Sequence, residues 1–304
     1  MRKLFEEYVA GCAVFAPQAS VWRMVLVVAS AVAGQVVATV AVFPLFAFFV
    51  SMATEQPFDA ELAKLSALGS PLALVAALTS FLGSILFVWG SVRLLHGINP
   101  RALLSFRYRF EWRDMLIGFA AVIGIGIVAV LLSLPVQAYV PNVSWPVWLF
   151  WVGPVLAVTL IQVFAEELLF RGYLQSHLAA RFANPLIWMG VPSVLFGAAH
   201  IGNAAAFGSN AWLVLLAPTL VGLIAADVTA RTGGIAAAVG IHLGNNALGL
   251  LLVAVPGPFG VVSLFTHPLD LSDAASVRPF ILMNIAVILV GYGLWLLYLR
   301  LRAR

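Results

Sequence analysis

The sequence contains Phe164-Ala165-Glu166-Glu167-Leu168-Leu169-Phe170-Arg171-Gly172-Tyr173-Leu174, which places two adjacent carboxylates and an arginine inside a long apolar run. A charged side chain near the centre of a bilayer costs at least about 3 kcal/mol, so such residues are functional candidates. On an α-helix, Glu167 and Arg171 stand four residues apart and can form an ion pair. Glu166 points about 100° away and has no partner on that helix. The alternative interpretation is a short ion-paired core cluster, but Glu166 is the leading candidate for chemistry.

The composition is that of a membrane protein. The 304 residues are 63% hydrophobic and 9% charged, with a mean hydropathy of +1.05, whereas soluble domains are about a quarter charged. We therefore predict an all-α polytopic membrane protein, with the lipid bilayer as its surroundings. The single cysteine, Cys12, excludes an intrachain disulfide. The basic residues lie between apolar runs, so they indicate how the chain is oriented across the membrane. They do not indicate a nucleic-acid-binding surface, and we expect no nucleic-acid partner.

Eight apolar runs have the length needed to cross a hydrocarbon core of about 30 Å. They lie near Val25–Val50, Pro71–Leu95, Met115–Leu134, Trp148–Arg171, Leu186–Ile201, Trp212–Ala230, Ile235–Val255 and Phe280–Leu299. The sixth and seventh runs are separated only by residues 231–234, and the glycines there suit a helix C-terminus in a tight hairpin. The sequence therefore predicts eight transmembrane helices.

The distribution of basic residues predicts the orientation. If the N-terminus is cytoplasmic, only Lys64 and Arg278 of the 16 basic residues fall outside, as the positive-inside rule requires. Both termini are then cytoplasmic. The loop from Arg101 to Asp114 interleaves arginines with aromatic residues, and we expect it to lie at the interface against anionic headgroups. Without an internal repeat or a long linker, residues 1–304 are expected to form a single membrane domain.

Polar residues inside the fifth and seventh runs complete a candidate site. The fifth run carries Phe196 and His200, and the seventh carries His242 and Asn246, each pair four residues apart and hence on one helix face. A lone histidine in a membrane helix is usually a packing residue. Two histidines, an asparagine and the unpaired Glu166 on three helices instead favour a catalytic site.

These side chains suit amide hydrolysis. Glu166 is expected to act as a general base toward a water molecule, and His200 to hold and polarise that water. His242 and Asn246 can stabilise the oxyanion of a tetrahedral intermediate. Glu167 with Arg171 would support the helix around Glu166. A catalytic zinc held by Glu166, His200 and His242 is the alternative. Because no His-Glu-x-x-His motif is present, we predict that no cofactor is required.

Three ordered motifs resemble the type II CAAX prenyl endopeptidases and their bacterial relatives, also called the CPBP or Abi family. They are Glu166-Glu167-x-x-x-Arg171-Gly172-x-Leu174, Phe196-x-x-x-His200, and Thr232-Gly233 leading to His242-x-x-x-Asn246. The resemblance covers about residues 148–255, which it identifies as the catalytic core. It implies an intramembrane protease in which Glu166 and His200 activate water while His242 and Asn246 form the oxyanion site.

The resemblance also sets the expectations about biology. It implies a multi-pass protein of the bacterial plasma membrane, acting on protein or peptide substrates with or without a lipid anchor. Many bacterial members of the family are linked to bacteriocin immunity or peptide processing. Two alternatives remain open: a non-catalytic immunity protein that binds a partner, and a transporter with a polar midplane site. The transporter is disfavoured because no inverted repeat of broken helices is visible.

Overall fold

The computed structural model describes residues 2–271 and 273–302. Within these ranges the α-helices are α1 (Arg2–Gly11), α2 (Val21–Thr54), α3 (Phe58–Ser66), α4 (Pro71–Thr79), α5 (Phe81–Ser91), α6 (Trp112–Ser133), α7 (Trp145–Glu167), α8 (Ser176–Arg181), α9 (Val191–Ala198), α10 (Ile201–Ala204), α11 (Ala211–Thr232), α12 (Ala236–Ala247) and α13 (Ala274–Arg302). Short π-helical or 3₁₀ segments connect several of them into longer runs.

Within the described residues, six helical runs are long and apolar enough to cross a membrane: Val21–Thr54, Pro71–His96, Trp112–Ser133, Trp145–Arg181, Ile201–Thr232 and Ala274–Leu297. Two shorter apolar runs, Leu186–Ala198 and Ala236–Leu252, coincide with the fifth and seventh predicted spans. The chain is thus an all-α polytopic membrane protein, as predicted. The count of eight spans stays a prediction. So does the cytoplasmic position of both termini, whose end residues Met1 and Arg304 lie outside the described ranges.

The outer surface of the bundle is apolar. Large side chains such as Val40, Leu86, Leu132 and Phe150 are more than half exposed, which would be costly in water but is the normal condition of a residue facing lipid chains. The main core lies around the π-helical segment Leu168–Gln175, where Leu168, Tyr173 and neighbouring residues are buried. The polar residues of the candidate site are therefore enclosed by an apolar shell.

The predicted hairpin between the sixth and seventh runs is present. Gly233 ends α11 with a φ of 72°, and its N–H donates to the Thr229 carbonyl, a left-handed C-terminal turn that glycine adopts without strain. The chain then reverses into α12, which packs closely on α6. A Cβ atom on Gly240 would collide with the Met115 carbonyl, and one on Gly244 would lie 2.9 Å from the Val122 Cβ. These glycines let the two helices approach to backbone contact and so fix the position of α12.

A small β-sheet among the described residues lies beyond the helical prediction. Three two-residue strands, β1 (Val140–Pro141), β2 (Val253–Ala254) and β3 (Phe265–Thr266), form a sheet in the order β1-β3-β2. β3 is antiparallel to β1 and parallel to β2. This sheet joins loops on the side predicted to be external, and its strands β1 and β3 are more than a hundred residues apart in the chain. Periodicity within one segment could not have indicated it.

The loop predicted to lie at the membrane interface is partly anchored to the hairpin. The Phe106 N–H donates to the Gly233 carbonyl at 3.0 Å, and the Ile235 N–H donates to the Leu104 carbonyl at 3.0 Å. The side chains of Arg107 and Arg109 are exposed, and both form ion pairs with Glu111. Contact of these arginines with anionic headgroups stays a prediction.

Candidate active site

The two adjacent carboxylates lie where an α-helix changes into a π-helix. α7 ends at Glu167, a π-helical segment runs from Leu168 to Gln175, and α8 continues to Arg181. π-helical turns are rare and concentrate at functional sites. The predicted ion pair is present across this junction, since Arg171 Nη1 donates to Glu167 Oε1 at 2.8 Å. Both side chains are almost fully buried, at 1% and 0% exposed.

His242 joins this pair from α12. Its Nδ1 lies 2.8 Å from the same Glu167 Oε1 that Arg171 contacts. Because a carboxylate can only accept, Nδ1 must carry the proton in this contact. Glu167 therefore orients the imidazole of His242 as well as neutralising Arg171, a second role that the sequence did not reveal.

Glu166 lies on the other side of the same imidazole. Its Oε2 is 3.6 Å from His242 Nε2. The Glu166 side chain is 16% exposed, which is more than the side chains of Glu167, Arg171 and His242 in the same cluster. Three buried atoms of the cluster have no hydrogen-bond partner among the residues that the structure describes: Glu166 Oε2, Glu167 Oε2 and Arg171 Nη2. Buried polar atoms without a protein partner are those that a bound water or substrate group would satisfy.

Asn246 follows one helical turn after His242, and its partner was missed in the sequence. Its Nδ2 donates to Gln162 Oε1 at 3.0 Å, and its Oδ1 accepts from Asn245 Nδ2 at 3.3 Å. Gln162 lies on α7, one turn before Glu166, and is only 7% exposed. The available signal was an uncharged polar residue four positions before Glu166 inside an apolar run.

His200 is connected to the cluster through an aromatic ring. Phe196 packs edge-on against His200 at 4.9 Å between ring centroids and against His242 at 5.4 Å. The expectation that the fifth helix carries His200 needs a correction, because α9 ends at Ala198 and His200 lies in the following turn. Its Nδ1 contacts the Phe196 carbonyl at 2.8 Å, and the turn is held by this local bond. Nδ1 is then the protonated nitrogen, and Nε2 is left with a lone pair that can accept from water.

Phe196 also holds the buried arginine. The Arg171 guanidinium lies over the Phe196 ring, 4.6 Å from its centroid, an attraction that strengthens in a site without water. A Cβ atom on Gly222 of α11 would lie 3.2 Å from Arg171 Nη2. The absence of a side chain at Gly222 thus leaves room for the guanidinium between α9 and α11.

The arrangement brings Glu166, His242 and Asn246 together with Glu167, and it links His200 to them through Phe196. Among the described residues, no group of three or more histidine, cysteine, aspartate or glutamate side chains is placed to hold a metal ion. The alternative in which Glu166, His200 and His242 are zinc ligands stays a prediction. Chemically, the cluster offers a carboxylate base, two oriented imidazoles and a carboxamide donor.

Comparison with known proteins agrees with the resemblance seen in the motifs. Residues 144–248 match the family described as type II CAAX prenyl endopeptidase, Rce1-like, and this segment includes Glu166, His200, His242 and Asn246. The chain is also 26% identical over 217 residues to the uncharacterized protein YyaK of Bacillus subtilis (strain 168), covering 68% of this chain and 70% of that protein. No solved structure matches the chain. Residues 144–248 are thus similar to type II CAAX prenyl endopeptidases.

Proposed function

We propose that this protein is an intramembrane endopeptidase that hydrolyses peptide bonds of membrane-associated proteins or peptides without a metal ion. One observation carries the proposal: His242 contacts Glu167 through Nδ1 at 2.8 Å and faces Glu166 through Nε2 at 3.6 Å. This contact lies within the segment that matches the endopeptidase family. A structural core cluster would need only the ion pair, and it would not explain a second buried carboxylate with an unpartnered oxygen.

Glu166 is the proposed general base. Its Oε2 has no hydrogen-bond partner among the described residues, and its side chain keeps some exposure. A water between this oxygen and a substrate carbonyl could lose its proton to Glu166 as it attacks the carbon. The tetrahedral intermediate would then collapse with cleavage of the C–N bond, and Glu166 would pass the same proton to the leaving amine. In this scheme His200 accepts a hydrogen bond from the same water through Nε2 and sets its direction.

His242 and Asn246 are the proposed oxyanion donors. Because Nδ1 of His242 is committed to Glu167, its Nε2 donates a hydrogen bond only when the imidazole is doubly protonated. In that state the cation and Arg171 would face the two carboxylates of Glu166 and Glu167. Asn246 adds a second donor from its carboxamide.

The first test replaces the base. Wild type, Glu166→Gln and the control Glu7→Gln, an exposed carboxylate of α1, are reconstituted in liposomes. Each is incubated with a pool of peptides from membrane proteins, with and without a farnesylated cysteine, and the products are read by mass spectrometry. We expect cleavage by wild type and Glu7→Gln, and no cleavage by Glu166→Gln, because the amide cannot accept a proton. Unaltered peptides with wild type, or cleavage by Glu166→Gln, would refute the proposal.

The second test addresses metal and the oxyanion donor. We expect full activity after treatment with a tight chelator, and a loss of about 100- to 1000-fold in kcat for Asn246→Ala, since one donor is removed and the base remains. Reversible loss on chelation together with stoichiometric zinc would overturn the scheme and recast Glu166, His200 and His242 as ligands.

A further inference from the structure

We propose that Gln162 is a positioning residue of this site, which holds the Asn246 carboxamide with its NH2 group available to the reacting carbonyl oxygen. The inference rests on the proposed function and adds a residue outside the three motifs. It starts from one contact: Asn246 Nδ2 donates to Gln162 Oε1 at 3.0 Å. Gln162 is 7% exposed, so the contact is sheltered from bulk water.

Both ends of the Asn246 carboxamide are held by side chains. The NH2 end donates to Gln162, and the oxygen end accepts from Asn245 Nδ2 at 3.3 Å. An NH2 group has two hydrogens, so one remains for a substrate oxyanion. If the amide turned by 180°, its oxygen would face Gln162 Oε1 and its NH2 would face Asn245, giving two unfavourable contacts. With the Gln162 and Asn245 amides as they stand, only this orientation pairs a donor with an acceptor at both ends.

The contact also ties together the two helices that carry the reacting groups. Gln162 and Glu166 are one turn apart on α7, and Asn246 and His242 are one turn apart on α12. The pairs Gln162–Asn246 and Glu166–His242 therefore form successive cross-links between antiparallel helices, about 6 Å apart along the axis. A shift or rotation of α12 that misplaced the Asn246 donor would have to break the first cross-link. Gln162 thereby sets the distance between base and oxyanion donor.

An oxyanion donor acts only when it is already directed at the position where charge develops. Without Gln162, the Asn246 amide would sample both orientations, and in one of them its carbonyl oxygen would repel the oxyanion. This loss affects the transition state more than the bound substrate, so it lowers kcat and leaves KM nearly unchanged. A purely structural role would instead reduce the amount of folded protein.

The test is a double-mutant cycle on one peptide that wild type cleaves and Glu166→Gln does not. Gln162→Met keeps the length of the side chain and removes the acceptor, whereas Gln162→Glu keeps an acceptor. The control is Gln35→Met, since Gln35 donates to Ser80 far along the chain from the site motifs. Each variant is assayed at its own optimum pH, with thermal unfolding measured in parallel.

We expect Gln162→Met to lower kcat by about 10- to 100-fold, less than full removal of a donor, with KM within about twofold. In the Asn246→Ala background, Gln162→Met should cause no further loss, because its effect acts through Asn246. Gln162→Glu should restore most of the activity, and Gln35→Met should match wild type.

Wild-type kcat for Gln162→Met, or an equal loss in the Asn246→Ala background, would overturn the inference. If Gln162→Met does not fold, low activity of folded Gln162→Glu would overturn it instead. The proposed function fails separately, if Glu166→Gln cleaves the peptide.

Discussion

The buried ion pair gives the sharpest prediction about stability. Arg171 Nη1 and Glu167 Oε1 are 2.8 Å apart, and both side chains are almost fully buried. Removing one partner of such a pair leaves an uncompensated charge in a low-dielectric site, at a cost of about 3 to 5 kcal/mol. We therefore expect Glu167→Leu and Arg171→Met each to lower the free energy of unfolding by an amount in this range.

The two single variants should differ in a definite order. Glu167 holds both Arg171 and His242, so Glu167→Leu leaves two groups without their partner. Arg171→Met leaves the carboxylate its contact with His242 and should be the milder change. The double variant removes both members of the ion pair, so neither of the two charges is stranded, and its loss should be smaller than the sum of the single losses by at least about 1 kcal/mol.

The assay is reversible unfolding by SDS in bicelles, followed by tryptophan fluorescence. Arg107→Met is the matched control, because Arg107 and Glu111 have the same i, i+4 spacing but Arg107 is 73% exposed. It should leave the unfolding midpoint unchanged. Single variants as mild as this control, or losses that simply add in the double variant, would refute the reasoning that the pair is buried and mutually dependent.

Two further predictions concern packing and reactivity. Gly222→Ala should lower the free energy of unfolding by about 1 to 3 kcal/mol, because the new Cβ would lie 3.1 Å from Ser193 and 3.2 Å from Arg171 Nη2. The control Gly153→Ala should be neutral, because its Cβ would have no neighbouring atom within 4 Å. Equal unfolding midpoints for the two variants would contradict this prediction. Burial raises the pKa of the Cys12 thiol to about 12, so at pH 8 only about one molecule in ten thousand carries the reactive thiolate. Maleimide labelling should therefore be at least about 100-fold slower in the folded protein than in SDS, and rapid labelling of the folded protein would show that the thiol is accessible.

The sequence determined the features that depend on neighbouring residues along the chain. Runs of apolar residues specify membrane helices because each backbone group must be satisfied within its own segment in lipid. The spacing of Glu167 and Arg171 specified their ion pair, and Gly233 specified the turn between α11 and α12, because both depend on local geometry. The motifs around Glu166 and His242 also carried the family resemblance.

Only the tertiary structure decided which helix faces meet. Glu167 and His242 are 75 residues apart in the chain, and Gln162 and Asn246 are 84 residues apart. Their pairing depends on the rotation of α7 and on the close approach of α12 to α6. The sequence also did not show that α7 passes into a π-helical segment after Glu167, or that Phe196 separates the imidazoles of His200 and His242. These features result from packing between distant segments, and the energy of such packing is not contained in the periodicity of any one segment.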